Sequence, residues 1–329
     1  MQVEMHKFFK IILLSLLGLF ILLGLLFLVS LFNSPEQVTH STTDDKTPVW
    51  SPDSKKIAFV SNRSGNNNIW IMLLEDKSVI QLTSSTGSDW FPTWSPDGNK
   101  IAFQSNRGGN LDIWVIPATG GVAKQLTQNP NPDITPAWSP DGKKIAFASL
   151  RSGNWDIWVI PASGGDAIQI TTDLSDDKFP AWSPDGSKIA FASLRSGNWD
   201  IWIVPASGGK AVRLTANSAV DDVPTWSPDG KKIAFRSIRN RKSAIWVISL
   251  DNRSVFQLTM GKGFDWFPSW SPDGKKIIFQ SDRKGNEDIW LVPSPSLLYS
   301  VSLKVKKLIN FSRWIFHEAA EEVLGRELD

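Results

Sequence analysis

Six aspartates and six arginines stand at fixed intervals along this chain. Asp45, Asp89, Asp133, Asp177, Asp221 and Asp265 are 44 residues apart, and an arginine follows each by 18 residues, at Arg63, Arg107, Arg151, Arg195, Arg239 and Arg283. Each aspartate stands in the loop entering the innermost strand of its unit, so the six are expected to ring the mouth of a central channel, where carboxylates could hold a divalent cation or attract a basic partner. Six bases recurring in step with six acids favour one ion pair per unit or per junction between units, since arginine's planar fork matches a carboxylate. A second aspartate, from Asp53 to Asp273, sits in every Ser-Pro-Asp turn, where its ordinary work is bonding to its own backbone. Enzymatic chemistry has little else to draw on. There is no cysteine, and only three histidines, His6, His40 and His317. Gly-x-Ser-x-Gly, a phosphate-binding glycine loop and His-Glu-x-x-His are all missing. No metal site, cofactor or catalytic residue is assigned.

The elements that position these residues come from an internal repeat. Trp-Ser-Pro-Asp recurs at Trp50, Trp94, Trp138, Trp182, Trp226 and Trp270, with proline two before each tryptophan, phenylalanine nine after and a second tryptophan 20 after. Twelve of the 17 tryptophans are therefore repeat positions, and large aromatics at fixed sites are first of all packing residues between units. Within one unit, Pro180–Trp182, Lys188–Ser193, Asp200–Val204 and Ala211–Thr215 read as short strands separated by turns. Four short strands repeated every 44 residues predict an all-β, six-bladed β-propeller over 36–299. The fourth-strand signature fails near residue 302, whereas Gln37-Val38-Thr39 stands 12 residues before Trp50, where a fourth strand belongs. The N-terminal strand is thus expected to complete the last blade, with Tyr299–Val305 the competitor for that place.

The unit Pro136–Ser149, followed by Asp156-Ile157-Trp158, closely resembles the WD-like propeller repeat of TolB-type proteins, and the resemblance spans all six units. It implies six blades, a location outside the bacterial cytoplasmic membrane, and work as a protein-binding platform. Similar repeats also build the propellers of prolyl-oligopeptidase-like enzymes and some polysaccharide lyases. The repeat alone therefore leaves function to the site.

Where TolB carries an α/β domain ahead of its propeller, this chain has 22 uncharged residues from Ile11 to Phe32. That length spans the roughly 30 Å hydrocarbon core as a helix and exceeds the apolar run of a cleavable signal. Lys7 and Lys10 precede it and no base follows until Lys46, so residues 1–10 are expected in the cytoplasm and everything beyond the 33–35 linker outside. The formal net charge of +2 gives no reason to expect nucleic acid.

Departures from the repeat are the better pointers to a partner, since packing does not demand them. Trp90, Phe91, Phe264, Trp266 and Phe267 put aromatics before innermost strands, and Trp155 and Trp199 put them between second and third strands. Both loop sets open on the channel-mouth face of a propeller, where they form a patch for a protein, a peptide or a glycan, or cap the blade tops. In blade five, Arg239–Ser243 and Arg236 suggest a local basic patch. Residues 300–329 carry apolar positions at helical spacing and predict an amphipathic helix. The expectation is a membrane-anchored, non-catalytic platform. A glycan-processing propeller lyase is the alternative, and a purely structural anchor a third.

Overall fold

In every unit a Ser-Pro-Asp turn, closed by glycine in five blades and by Ser54 in the first, decides where the first strand ends and the second begins. Proline fixes φ for the turn and glycine takes the left-handed position, at +71° for Gly186. In blade four Gly186 N donates to Ser183 O at 2.9 Å. The Asp185 carboxylate accepts from Ser183 Oγ at 2.5 Å and from Ser187 N at 3.0 Å. These bonds hold the Asp185 carboxyl at about 2, below its ordinary value, so the turn aspartates are structural, as expected.

The computed structural model describes residues 34–295 except 262. Residues 35–292 form one compact unit, and of the second unit only Ser34 and residues 293–295 are described. The fold is a six-bladed β-propeller of four-stranded antiparallel blades. Blade four is typical, with strands Asp177–Trp182, Lys188–Ser193, Asp200–Pro205 and Val212–Arg213 paired in that order. Its second strand, Lys-Ile-Ala-Phe-Ala-Ser, is buried on both faces beyond the lysine, so it reads as a continuous apolar run without alternation. Ile189, Phe191 and Val204 of blade four pack onto Ala146, Ala148, Ile157, Val159 and Ile170 of blade three. The core is thus a set of inter-blade layers.

The ring closes as expected. Glu36–Gln37 pairs antiparallel with Asp288–Pro293 as the outer strand of blade six, Glu36 opposite Leu291 and Gln37 opposite Trp290. Thr39 repeats the tie made by the other fourth-strand threonines. Its hydroxyl donates to Asp288 at 3.0 Å and accepts from Ile289 N at 2.9 Å. The 11–32 segment, the competing Tyr299–Val305 and the 300–329 helix lie outside the described residues. Among those described, no helix is long and apolar enough to cross a membrane.

Candidate functional site

The recurring acids and bases meet, blade by blade. Nη2 of Arg63, Arg107, Arg151, Arg195 and Arg283 lies 2.6–2.8 Å from the carboxylate of Asp45, Asp89, Asp133, Asp177 and Asp265. Each guanidinium also lies over two repeat aromatics. Arg195 is 4.9 Å from the Trp202 ring centroid and 5.3 Å from that of Phe191. The second tryptophan of the unit is therefore a lid on an ion pair. Burial raises the Asp177 carboxyl, while the Ser193 hydroxyl and Arg195 pull it back.

Two expectations about these residues are corrected. The aspartates begin the innermost strands, yet all six are at most 2% exposed and none lines the central channel. Their carboxylates turn into the blade, where arginine replaces part of the water lost on burial, while one oxygen each of Asp89, Asp133 and Asp177 is buried without a hydrogen-bond partner. The sixth pair is also absent. Asp221 accepts from Ser237 Oγ at 2.5 Å and Asn217 Nδ2 at 2.7 Å, and Arg239 lies instead over Trp246, 3.6 Å from its centroid. Arg236 is not part of an open basic patch, because it forks onto Asp222.

What fills the channel is a residue set that the sequence reading only partly singled out. Each innermost strand bulges after the residue that follows its recurring aspartate, as between Lys178 and Ala181. The residue before the repeat proline is thrown into the left-handed region there. Thr47, Phe91, Thr135, Phe179, Val223 and Phe267 have φ between 46° and 57°. Such backbone costs about 1–3 kcal/mol per residue and persists only where surroundings enforce it. Part of the enforcement is visible, since Gln104 Oε1 accepts from Thr135 N at 2.9 Å and Gln280 Oε1 from Thr47 N at 3.1 Å. The phenylalanines belong to alternate blades, and Phe91 contacts Phe267 at 5.4 Å and Phe179 at 6.2 Å between centroids. Three rings thus plug the axis. Phe91 and Phe267 are plug residues and not loop aromatics, which corrects their place in the expected patch. Phe179 was missed, although the alternation of small and large side chains at this position was readable.

Below the plug, toward the Ser-Pro-Asp-Gly turns, lies a cavity of about 310 Å³ lined by uncharged residues, including all six repeat prolines. The Thr47 and Thr135 hydroxyls are sealed at plug level without a hydrogen-bond partner. If the three rings seal them, changing Phe91, Phe179 and Phe267 together to alanine should raise the alkylation rate of a Thr135→Cys thiol by about tenfold or more, because access controls thiol reaction. An unchanged rate would show that the rings are not the barrier.

On the loop face the remaining aromatics hold cations or one another. Lys178 Nζ is 4.7 Å from the Trp155 centroid and 5.7 Å from that of Trp199. Lys46 is 5.9 Å from the Trp90 ring and bonds Glu287 at 2.6 Å. Phe264, 43% exposed, stacks on Trp266 at 5.8 Å. A Cβ on Gly263 would meet Arg283 Cβ at 2.7 Å, so glycine is what lets this loop close and present Phe264. Leu174 and Met260, in the loops entering blades four and six, are among the most exposed apolar residues described. Among the described residues no group of three or more His, Cys, Asp or Glu is placed to hold a metal ion.

One buried carboxyl departs far from its ordinary value. Asp112 is 1% exposed, and burial pushes it up to about 6 against the bonds from Thr127 at 3.2 Å and Gln125 at 3.0 Å. Its protonated form is favoured by the fold, so this contribution to stability is complete below the unfolded value near 3.8 and is lost as pH rises through about 6. Asp112→Asn should remove that step from a denaturation series between pH 4 and 8 and gain stability at the alkaline end. A step that survives the substitution belongs to another group.

Comparison with known proteins agrees with this architecture. The model of the TolB beta propeller domain matches residues 26–133 and 217–297, more than half of the chain, and that of the Tricorn protease N-terminal beta propeller domain matches 152–244. No curated protein sequence gives a match. Among solved structures, a putative TolB from Agrobacterium tumefaciens aligns at 26% identity and TM-score 0.65, over 78% of this chain and 93% of its own. TolB from Acinetobacter baumannii aligns at 27% and 0.64, over 72% of this chain and 60% of its own. Oligogalacturonate lyase from Vibrio parahaemolyticus aligns at 16% and 0.57, over 79% and 93%, a likeness of fold alone. With the repeat, the closed ring and the family model in agreement, the chain belongs to the TolB beta propeller domain family.

Proposed function

We propose that the chain is a non-catalytic binding platform of the cell envelope, held in the cytoplasmic membrane by residues 11–32 with the propeller outside, and that its loop face takes a protein or peptide partner. The observation carrying this reading is the exposed Phe264–Trp266 stack, with Met260 in the same loop and the Trp90–Lys46 and Trp155–Lys178–Trp199 groups on the same face. Aromatic residues and methionine are enriched at interface centres, with charged groups toward the rim. Likeness to the two TolB structures supports a platform role by analogy. The fold likeness to oligogalacturonate lyase keeps turnover of a polysaccharide as the second reading. Against it stands the cavity lining, which is uncharged and offers no side chain for proton transfer near neutral pH.

The test is photo-crosslinking in the membrane, with a reactive side chain at Trp266 and a control at Ser207 in a turn on the opposite face. A discrete protein adduct at Trp266 alone supports the platform and identifies the partner. Adducts at neither position turn the question to glycan binding or turnover.

A further inference from the structure

The face opposite the loop aromatics has its own pattern. Each innermost strand ends there in a Ser-Pro-Asp turn, and lysine follows at the fifth and sixth positions after the repeat tryptophan in blades one, three, five and six. Blades two and four keep only the sixth, so ten lysines circle this face against six turn aspartates. The turn aspartates are exposed beside these lysines but are engaged by their own turns. Asp141 accepts from Ser139 Oγ at 2.6 Å and from Lys143 N at 3.0 Å, and Asp229 and Asp273 lie 3.8 Å from Lys232 and 3.4 Å from Lys275. The Lys143 and Lys144 side chains are exposed as well. The outer connections between third and fourth strands lie on the same face, as Ala162 N to Lys143 O at 2.8 Å shows. They bring four acids and three bases, so the face keeps a positive balance.

Strand direction puts the start of the propeller at this same face. Asp288–Pro293 runs from the loop face to the turn face, and Glu36–Gln37 pairs with it antiparallel, so residue 36 enters at the turn face on the rim of blade six. Only residues 33–35 separate it from the apolar 11–32 segment, a reach of about 11 Å at full extension. Blades five, six and one, nearest that point, each carry the full lysine pair.

We propose that the turn face lies on an anionic phospholipid surface, its lysines at headgroup level, so that the aromatic loop face is turned away from the membrane. The short tether holds the ring of ammonium groups close to the roughly 8 Å over which charge is felt at physiological salt, and several lysines together suit such a surface. The proposal rests on the reading of residues 11–32 as an anchor and is independent of what binds the loop face.

The chain has no cysteine, so single labels are available. Val122, 91% exposed in a blade-two connection on the turn face, and Leu174, 95% exposed on the loop face, become Val122→Cys and Leu174→Cys in the full chain, each carrying a donor dye. The protein is placed in nanodiscs with acceptor-labelled headgroups, either phosphatidylcholine alone or with phosphatidylglycerol. In the anionic discs, energy transfer from position 122 should exceed that from 174 by at least about twofold. That excess should fall away in neutral discs, in about 0.5 M salt, and in the variant combining Lys143→Gln, Lys144→Gln, Lys275→Gln and Lys276→Gln. Equal transfer from the two positions, greater transfer from 174, or indifference to lipid charge overturns the proposal. If the full chain does not enter neutral discs at all, the anchor is absent and the proposal fails with it.

Discussion

Phe191→Ala should lower the unfolding free energy by about 3–5 kcal/mol, read as a shift of the denaturant midpoint of the full chain. Phe191 has no exposed surface and lies in the layer where blades three and four meet, against Ala146, Ala148 and Ile157. Its alanine neighbours sit on strands paired along their whole length and cannot swing inward, so the ring leaves a cavity that collapses poorly. Arg195 also loses one of the two aromatic faces it covers. The same change at Phe264, 43% exposed on the loop face, should alter stability by less than about 1 kcal/mol while weakening partner capture. Comparable losses at both positions would mean that the loop aromatics are packing residues and not a recognition surface.

The fold was legible because the repeat displays the same strand, turn and packing signals six times, and even the closing strand could be located from the offset of Gln37-Val38-Thr39 to Trp50. The partnership of Asp177 with Arg195 was legible for the same reason, as a spacing of 18 residues held in every blade. Direction was not. Placed where the chain enters the innermost strand, the aspartate reads as a channel-mouth residue. A bulge two residues later inserts an extra residue, and Phe179, not Asp177, points to the axis. The proline after it marks the irregularity, but a proline in an innermost strand gives no sign of which neighbour turns inward. Blade five shows the other limit. Arg239 keeps the repeat position but lies over Trp246 without bonding Asp221, whose carboxylate accepts from Asn217 and Ser237.

That difference between blades sets up the second large effect. Arg195→Met keeps a long apolar stem over Trp202 and Phe191 but leaves Asp177, 0% exposed, without its cation, and an uncompensated buried charge costs about 3–5 kcal/mol. The Ser193 hydroxyl cannot replace a charge. Burial already raises the Asp177 carboxyl in the native protein, and removing Arg195 raises it further. A raised carboxyl contributes stability when protonated and loses it as pH rises through the folded value, so the variant's deficit should be greatest near neutrality and shrink as pH falls toward 4. Adding Asp177→Asn to Arg195→Met removes the stranded charge and should recover most of the loss, with the pH dependence gone. In blade five, where Arg239 touches Trp246 and not Asp221, Arg239→Met should cost only about 0.5–1 kcal/mol, the worth of a cation over an aromatic ring. Equal costs for the two arginines would mean that stacking, which they share, outweighs the ion pair that only Arg195 makes. A deficit at Arg195 that neither acid nor Asp177→Asn relieves would carry the same meaning.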